Sequence, residues 1–285
     1  MGQNRPYSGS FINILRDCKS KKLYRGKNRS KHLRSLVAKA KLSHMKPLIL
    51  IPARMASTRL PGKPLADIGG LPMIVHVLQR AKSANIGPVA VACSEIEVKH
   101  AVEAAGGQAI MTDADLPSGT DRVRAAADTI DPHGQHDIII NVQGDMPTLN
   151  PDLITAILAP FKNPRVDMTT AAVATEDIRE ISDANVVKAV IAADGRALYF
   201  TRASAPSGAG PVMHHLGLYG YRRAALNRFC ALPPSPLELR ERLEQLRALE
   251  NGMRIDVVIV DAAPHGVDTI EDLERARALI IGQKS

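Results

Sequence analysis

The chain has 285 residues, of which 45% are hydrophobic, 23% charged and 3% aromatic, and its formal net charge is +8; this composition is typical of a globular protein with an aliphatic core. No apolar run reaches the roughly 18 residues that a membrane-spanning helix needs, since the longest charge-free stretch, residues 203–221, is interrupted by Gly, Pro and His. The three cysteines, at positions 18, 93 and 230, form no C-x-x-C pair, which argues against a disulfide framework or a zinc site and favours a cytoplasmic protein.

The positive charge is concentrated at the start of the chain. Residues 1–44 hold 12 of the 37 Lys and Arg and one acid, Asp17, so they carry +11 while the remainder carries −3. Such a segment could bind nucleic acid or anionic lipid, or could be a transit peptide. The simplest interpretation is a start codon assigned too early, because Met45 directly precedes the first predicted strand. We expect a basic extension at 1–44 that is disordered or not native, a catalytic domain at 46–285, and neither nucleic acid nor membrane as a partner.

From residue 47 onward, short apolar runs alternate with helical segments. The run "IIINV" at 138–142 is typical of a strand buried on both faces of a parallel sheet. The alternation predicts an α/β domain with right-handed crossovers, and no linker divides it. The predicted strands are 48–51, 89–92, 109–111, 137–142, 168–173, 186–191, 197–200 and 255–260, and the predicted helices are 72–83, 95–105, 121–130, 151–161, 236–250 and 269–281.

A basic loop follows the first predicted strand, in "LILIPARMASTRLPGKPL" at 48–65. In an open parallel sheet, ligands lie beyond the carboxyl ends of the strands, so Arg54, Arg59 and Lys63 are placed to bind phosphate groups. Gly62 would let the backbone approach a ligand closely. The loop is no Walker motif, because Lys63 is followed by Pro64. The alternative is an ordinary solvated loop, although three cations together favour a triphosphate.

Two aspartates also follow predicted strands, and each has two interpretations. Asp145, in "NVQGDMP" at 141–147, could hold Mg²⁺ together with nucleotide phosphates or could be a turn residue. Asp268, in "HGVDTIEDLERA", could bind the same metal or could cap the last helix with Glu271 three positions on. Thr269 and Asp272 fit the capping pattern equally well. If both aspartates bind metal, folding must bring them together beside Lys63.

Three further stretches are ambiguous. "SGTDR" at 118–122 fits either an ordinary helix N-cap or a helix entrance that binds a ligand. "HHLGLYGYRR" at 214–223 reads as a strand, but core packing does not account for its adjacent histidines. Glu244 and Gln245, in "LEQLR" on the helix predicted at 236–250, are most simply solvent-facing.

Taken in order, these motifs resemble one family. "IPARMASTRLPGKPL", "SGTDR", "NVQGD", "YFTR", "HLGLYGY", "PSPLELRERLEQLR" and "HGVDT" are similar to those of the 3-deoxy-manno-octulosonate cytidylyltransferases, the CMP-Kdo synthetases of lipopolysaccharide biosynthesis. The resemblance covers residues 46–281. It implies a single Rossmann-like nucleotidyltransferase domain with a mostly parallel central sheet and an insertion for dimerisation and sugar binding. It also implies CTP and Kdo as substrates, Mg²⁺ as cofactor and a homodimer.

The resemblance also implies roles for individual residues. It makes Lys63, Asp145 and Asp268 catalytic, with the two aspartates as Mg²⁺ ligands. The nucleotide would be bound by Arg54, Ser57, Arg59, Lys63, Ser118, Thr120 and Arg122. The sugar acid would be bound by Gln143, Arg202, His215, Tyr219, Glu244 and Gln245, with Arg202 as the partner of its carboxylate.

The sequence departs from the family at two places. Met146 stands where the family often has Glu, and Cys93-Ser94 where it often has Thr-Asp. The first removes a carboxylate beside the expected metal site, and the second could alter recognition of the cytosine edge. Three alternatives stay open. The chain could be another sugar nucleotidyltransferase, such as one for sialic acid. It could act on an 8-amino analogue of Kdo, or it could be a nucleic-acid-binding protein.

Overall fold

The elements follow the predicted alternation of strands and helices. The structure is a computed structural model that describes residues 45–56 and 59–282. Its strands are β1 Pro47–Ala53, β2 Asp67–Ile68, β3 Leu71–Pro72, β4 Val89–Cys93, β5 Gln108–Met111, β6 Ile138–Asn141, β7 Met168–Thr175, β8 Lys188–Ile191, β9 Ala197–Thr201, β10 Val212–Arg222 and β11 Ile255–Val260. Its α-helices are α1 Met73–Ser83, α2 Ile96–Ala104, α3 Gly119–Ile130, α4 Pro151–Ala156, α5 Ile178–Ser182, α6 Arg223–Ala231, α7 Pro236–Glu241, α8 Gln245–Glu250 and α9 Ile270–Gly282.

The first strand lies inside the main sheet, between β4 and β6. Four consecutive side chains of β1, at 48–51, are fully buried. The strand pairs in parallel with β4 on one side and with β6 on the other. Parallel strands covered on both faces read as continuous apolar runs, which is why "LILI" and "III" were recognisable in the sequence.

The order of the strands creates a crevice beside β1. Within the described residues, nine strands form one sheet whose main path runs β11-β7-β10-β6-β1-β4-β5. Every strand of this path has the same direction except β10, which is antiparallel to β6 and β7. The predicted mostly parallel α/β fold is therefore confirmed. The chain leaves β1 for β4 on one side and returns to β6 on the other, and such a switch point is where open α/β sheets bind ligands.

The predicted helix at 236–250 is wrong, because the segment forms two short helices. Arg242, with φ 55° and ψ 48°, is in the left-handed region and ends α7. The break allows Arg247 of α8 to donate from Nε to Glu238 Oε2 of α7 at 2.8 Å, with both residues buried. In one continuous helix these residues, nine positions apart, would lie on opposite faces and about 13–14 Å apart along the axis. A buried ion pair thus overrides the helical pattern of the sequence.

The other helices are shorter than predicted or similar in length. The segment predicted as a helix at 151–161 is α-helical only over Pro151–Ala156 and continues as a 3₁₀ turn, Ala159–Lys162. Pro160 lacks the N–H that an α-helix would require there. The longest described helix, α9, has 13 residues. In the part of the chain that the structure describes, no helix is long and apolar enough to cross a membrane.

Candidate active site

A cleft of about 390 Å³ lies at the switch point, beyond the carboxyl ends of β1 and β6. Three loops and one helix entrance converge on it: the loop after β1, the start of α3, the loop after β6 and the segment before α9. Residues of all four face the same space. Its polar lining comprises Arg54, Arg59, Lys63, Ser118, Arg122, Gln143, Asp145 and Asp268.

The backbone of the basic loop fixes the position of Lys63. Gly62 has φ 69°, which glycine adopts without strain. Pro64 sits in the first turn of the 3₁₀ helix Lys63–Leu65, where a missing N–H costs nothing, and the N–H of Leu65 donates to the carbonyl of Gly62 at 2.9 Å. The "PGKP" stretch is therefore a rigid turn that presents one lysine. Ser57, a predicted nucleotide contact, lies outside the described residues, as does the 1–44 extension.

Lys63 joins the two predicted metal ligands. Its Nζ donates to Asp145 Oδ2 at 2.8 Å and to Asp268 Oδ1 at 3.0 Å, although Asp268 lies 205 positions away in sequence. Arg59 Nη2 lies 3.1 Å from Asp268 Oδ2. Burial lowers the pKa of Lys63, but the charge of Asp145 and the hydrogen bonds to both carboxylates outweigh it, so the net pKa is raised and the ammonium is retained. The aspartates meet as expected, at a single cation.

Two backbone features hold the loops that carry these aspartates. A Cβ at Gly144 would lie 2.7 Å from the carbonyl oxygen of Pro52, so only glycine allows the loop after β6 to come this close to β1. The N–H of Val267 donates to the carbonyl of Asp145 at 2.9 Å. The segment before α9 is thereby tied directly to the loop after β6, and the two carboxylates are held side by side.

The helix cap at α9 is made by Thr269 and Asp272, not by Asp268. The N–H of Asp272 donates to Thr269 Oγ1 at 3.2 Å, and the N–H of Thr269 donates to Asp272 Oδ2 at 3.1 Å. This reciprocal pair is a capping box. Of the two cap assignments left open by the sequence, the structure contains this one, and the Asp268 carboxylate faces the cleft.

The entrance of α3 combines an ordinary cap with a place in the cleft wall. Ser118 Oγ accepts from the N–H of Asp121 at 3.1 Å, which is the capping interaction of an N-cap serine. Arg122 is only 3% exposed, donates to Thr112 Oγ1 at 2.5 Å and still lines the cleft. Thr120 is not part of the lining; its buried hydroxyl donates to Glu244 Oε2 at 2.6 Å.

The predicted sugar-binding residues extend from the cleft along β10. Gln143 lines the cleft and donates from Nε2 to Asn141 Oδ1 at 3.3 Å, and Asn141 is the cross-strand partner of Tyr219. The Tyr219 ring lies 5.6 Å from that of His215, whose Nε2 is 2.9 Å from Thr170 Oγ1. His215 is therefore buried with a hydrogen-bond partner, Thr170. This contact explains why apolar packing alone did not account for the histidine motif.

Glu244 and Gln245 are not solvent-facing, so that expectation is wrong. Gln245 is 4% exposed and Glu244 is half-buried. Both stand at the start of α8, which exists because the chain breaks at Arg242. Among the described residues, Glu244 Oε1 and Gln245 Nε2 are buried polar atoms with no hydrogen-bond partner. An unpaired acceptor and an unpaired donor at adjacent positions suit a polar ligand.

Arg202 is held by backbone carbonyls. It donates from Nε to the carbonyl of Glu241 and from Nη1 to that of Ala184, both at 2.9 Å. Its own carbonyl accepts from Lys188 Nζ at 3.2 Å. Lys188 has no solvent exposure, and burial lowers its pKa despite the nearby charge of Asp183. Pairing of Arg202 with a substrate carboxylate stays a prediction.

Sequence reasoning missed two residues that brace the site. Lys188 anchors the Arg202 segment, and Glu95 Oε1 accepts from the N–H of Met55 in the basic loop at 3.1 Å. Glu95 directly follows the departing pair Cys93-Ser94. Cys93 is fully buried at the end of β4, and burial raises its pKa to about 11. In the sequence, the only signs of these two residues were a lysine, Lys188, inside the apolar run "VVKAV" and an acidic residue, Glu95, at the start of a predicted helix.

The buried His215 predicts a loss of stability in mild acid. Burial, with a smaller contribution from His214, lowers its pKa to about 3 in the folded protein, against about 6.5 when unfolded. Between pH 6.5 and 3 the unfolded chain therefore binds more protons, so the free energy of unfolding should fall with decreasing pH by up to about 1.4 kcal/mol per unit from this residue. Urea titrations at several pH values should show a shallower slope for His215→Gln. The exposed His133→Gln is the control, and an unchanged slope in His215→Gln would contradict the prediction.

The fold and the cleft define a nucleotide-binding α/β protein whose site gathers three loop cations and two carboxylates. The family model described as "Cytidylyltransferase" matches residues 48–255. This chain belongs to that cytidylyltransferase family.

Named relatives show which cytidylyltransferases the chain resembles. The chain is 59% identical over 243 residues to the 3-deoxy-manno-octulosonate cytidylyltransferase of Rhodopseudomonas palustris strain BisA53, a match that covers 84% of this chain and 98% of the relative. It is 59% identical over 239 residues to the enzyme of the same name from Rhodospirillum centenum, covering 82% and 93%. A solved structure of CMP:2-keto-3-deoxy-manno-octonic acid synthetase complexed with CTP superposes with a TM-score of 0.77 at 40% identity, covering 84% of this chain and 99% of that one.

Proposed function

We propose that this protein transfers the cytidylyl group of CTP to 3-deoxy-manno-octulosonate (Kdo), giving CMP-Kdo and diphosphate for lipopolysaccharide biosynthesis. The anomeric hydroxyl of the sugar acid attacks the α-phosphorus. The new P–O bond forms as the bond to the β-phosphate oxygen breaks, and the hydroxyl proton is released. The observation that carries this proposal is the convergence of Lys63, Asp145 and Asp268 in the cleft.

The cations of the basic loop reduce the main obstacle to this reaction, which is the repulsion between an anionic sugar acid and an anionic triphosphate. Arg54 and Arg59 are exposed on the cleft wall and can form bidentate contacts with phosphate oxygens. Lys63 adds a fixed point charge on a rigid turn. Such preorganised positive charge stabilises the negative charge that develops on the leaving diphosphate.

The chemistry of Asp145 and Asp268 fits a magnesium ion. Their carboxylates lie within 3.0 Å of one ammonium nitrogen, so both can contribute oxygen ligands to one small region. The described residues contain no group of three or more His, Cys, Asp or Glu that could hold a metal, and Met146 packs towards Gly217 where the family often has an acid. Mg²⁺ commonly binds through one or two carboxylates plus substrate phosphates. When bound there it would neutralise phosphate charge.

The sugar acid would occupy the space beside the nucleotide, along β10 and α8. Gln143 reaches it from the cleft, and His215 and Tyr219 follow along the strand. The unpaired polar atoms of Glu244 and Gln245 complement hydroxyl groups. This arrangement favours a polyhydroxylated acid over a simple alcohol as acceptor.

The protein is further proposed to act as a homodimer in the cytoplasm. Leu198 on β9 and Ile259 on β11 are each 50% exposed. The residues just before β9 lie against β11, since the N–H of Val257 donates to the carbonyl of Gly195 at 2.8 Å. Exposed apolar side chains on these two strands support a covered face.

A nucleotide-by-sugar matrix tests the proposed function. Diphosphate release is measured with CTP, UTP, ATP and GTP against Kdo, its 8-amino analogue, N-acetylneuraminate and no sugar, each with Mg²⁺. The expected result is release with CTP and Kdo well above every other nucleotide or sugar pairing. Preference for the 8-amino analogue or for N-acetylneuraminate would change the proposed sugar substrate but not the proposed type of reaction. Absence of release in all wells with folded protein would overturn the proposal, as would equal release without sugar.

A further inference from the structure

A hydrogen bond connects the helix that enters the nucleotide cleft with the segment proposed to bind sugar. Thr120, in the first turn of α3, donates from Oγ1 to Glu244 Oε2 at 2.6 Å across 124 positions of sequence. Thr120 is 3% exposed. Hydrogen bonds to an ionised acceptor are shorter and stronger than neutral ones, so this contact fixes where the Glu244 carboxylate lies.

The other oxygen of Glu244 is the one left for a ligand. Oε1 is buried and has no hydrogen-bond partner among the described residues, although it forms a long ion pair with Arg247 Nη2 at 4.0 Å. Gln245 Nε2, at the next position, is equally buried and unpaired. A carboxylate oxygen repels another carboxylate but accepts from hydroxyl groups, so this pair matches the hydroxyl-bearing part of a sugar acid and not its acidic end.

We propose that Thr120 is a positioning residue that holds Glu244 towards the hydroxyl groups of the acceptor sugar, instead of a contact to the nucleotide. The two residues before it, Ser118 and Gly119, line the nucleotide cleft. The first turn of α3 thus faces the nucleotide cleft with Ser118 and Gly119, and the proposed sugar site with the side chain of Thr120. This inference rests on the proposed function, and it reassigns a residue that resemblance alone gives to CTP.

The test separates the KM values of the two substrates. Thr120→Val keeps the shape and removes the hydroxyl, so the KM for Kdo should rise about tenfold or more, while the KM for CTP should stay within about twofold. Thr120→Ser restores the hydroxyl and should restore the KM for Kdo. Thr129→Val, on the exposed face of the same helix, is the matched control and should change neither value.

Each other outcome overturns the inference. A raised KM for CTP with an unchanged KM for Kdo would make Thr120 a nucleotide contact. Equal impairment in Thr120→Ser and Thr120→Val would assign the effect to packing, and unchanged kinetics in Thr120→Val would remove the role. Wild-type turnover with CTP and Kdo is measured first, since its absence would overturn the proposed function instead. The variants would then be compared with the sugar acid that the matrix identifies.

Discussion

Replacing Asp268 with Asn is expected to lower kcat by about 10²–10³-fold while the protein stays folded. The carboxylate faces the cleft, where it accepts from Lys63 and pairs with Arg59. An amide of the same shape removes the negative charge that a metal ligand must supply. The loss should therefore fall on turnover, which diphosphate release measures, and thermal unfolding should show a near-wild-type transition.

The folded state should tolerate this change because Asp268 does not hold the last helix. Thr269 and Asp272 form the capping box of α9, and the side chain of Asp268 is 45% exposed, so its ion pairs add little stability. Thr269→Ala is the reciprocal control. It should cost about 1 kcal/mol of stability while retaining most of the turnover.

Opposite behaviour of these neighbouring variants would contradict the metal-ligand assignment. If Asp268→Asn unfolded the protein while the folded fraction kept its specific activity, Asp268 would be structural. If Thr269→Ala abolished turnover at unchanged stability, the catalytic residue would be Thr269 and not Asp268. The two variants together separate capping from catalysis at adjacent positions.

The sequence made the strands and the basic loop predictable because their signals are local. Continuous β-branched runs identify buried strands, and a Pro and Gly on either side of Lys63 identify a rigid turn. The meeting of Asp145 and Asp268 followed from a general rule, that loops after parallel strands share one edge of the sheet. That rule predicts that both aspartates lie at the same edge of the sheet. Their close approach to each other also depends on Gly144 and on the hydrogen bond from the N–H of Val267 to the carbonyl of Asp145.

The sugar side was not predictable from local pattern. The residues after Arg242 continue an amphipathic helical pattern, so a single helix was the natural prediction. The break depends on the buried pair of Arg247 and Glu238, which forms only in the folded protein. Because that break turns Glu244 and Gln245 inward, their burial could not be read from the sequence. Lys188 was missed for a similar reason, since its partners are backbone carbonyls that no side-chain pattern encodes.

Replacing Lys63 with Met is expected to lower kcat/KM for CTP by about 10²–10³-fold. The side chain of Lys63 is 16% exposed and lies between the two carboxylates, so methionine fills much of the same space without the charge. Lys63→Arg should lose less, because it keeps a cation but not the compact ammonium that fits both aspartates. Lys99→Met, at a half-buried lysine paired with Glu103 on the same helix, is the matched control and should leave kcat/KM unchanged.

The same variant should bind free metal more tightly than the wild type. In the structure the Lys63 ammonium already neutralises Asp145 and Asp268, so without nucleotide it competes with a divalent cation for their oxygens. Removing it leaves two adjacent carboxylates with the exposed Arg59 beside Asp268, and their mutual repulsion favours a bound cation. Mn²⁺ titration followed by electron paramagnetic resonance should therefore give a lower Kd for Lys63→Met than for Lys99→Met. Equal or weaker Mn²⁺ binding would show that the lysine does not occupy the metal position, even if the loss of turnover were observed.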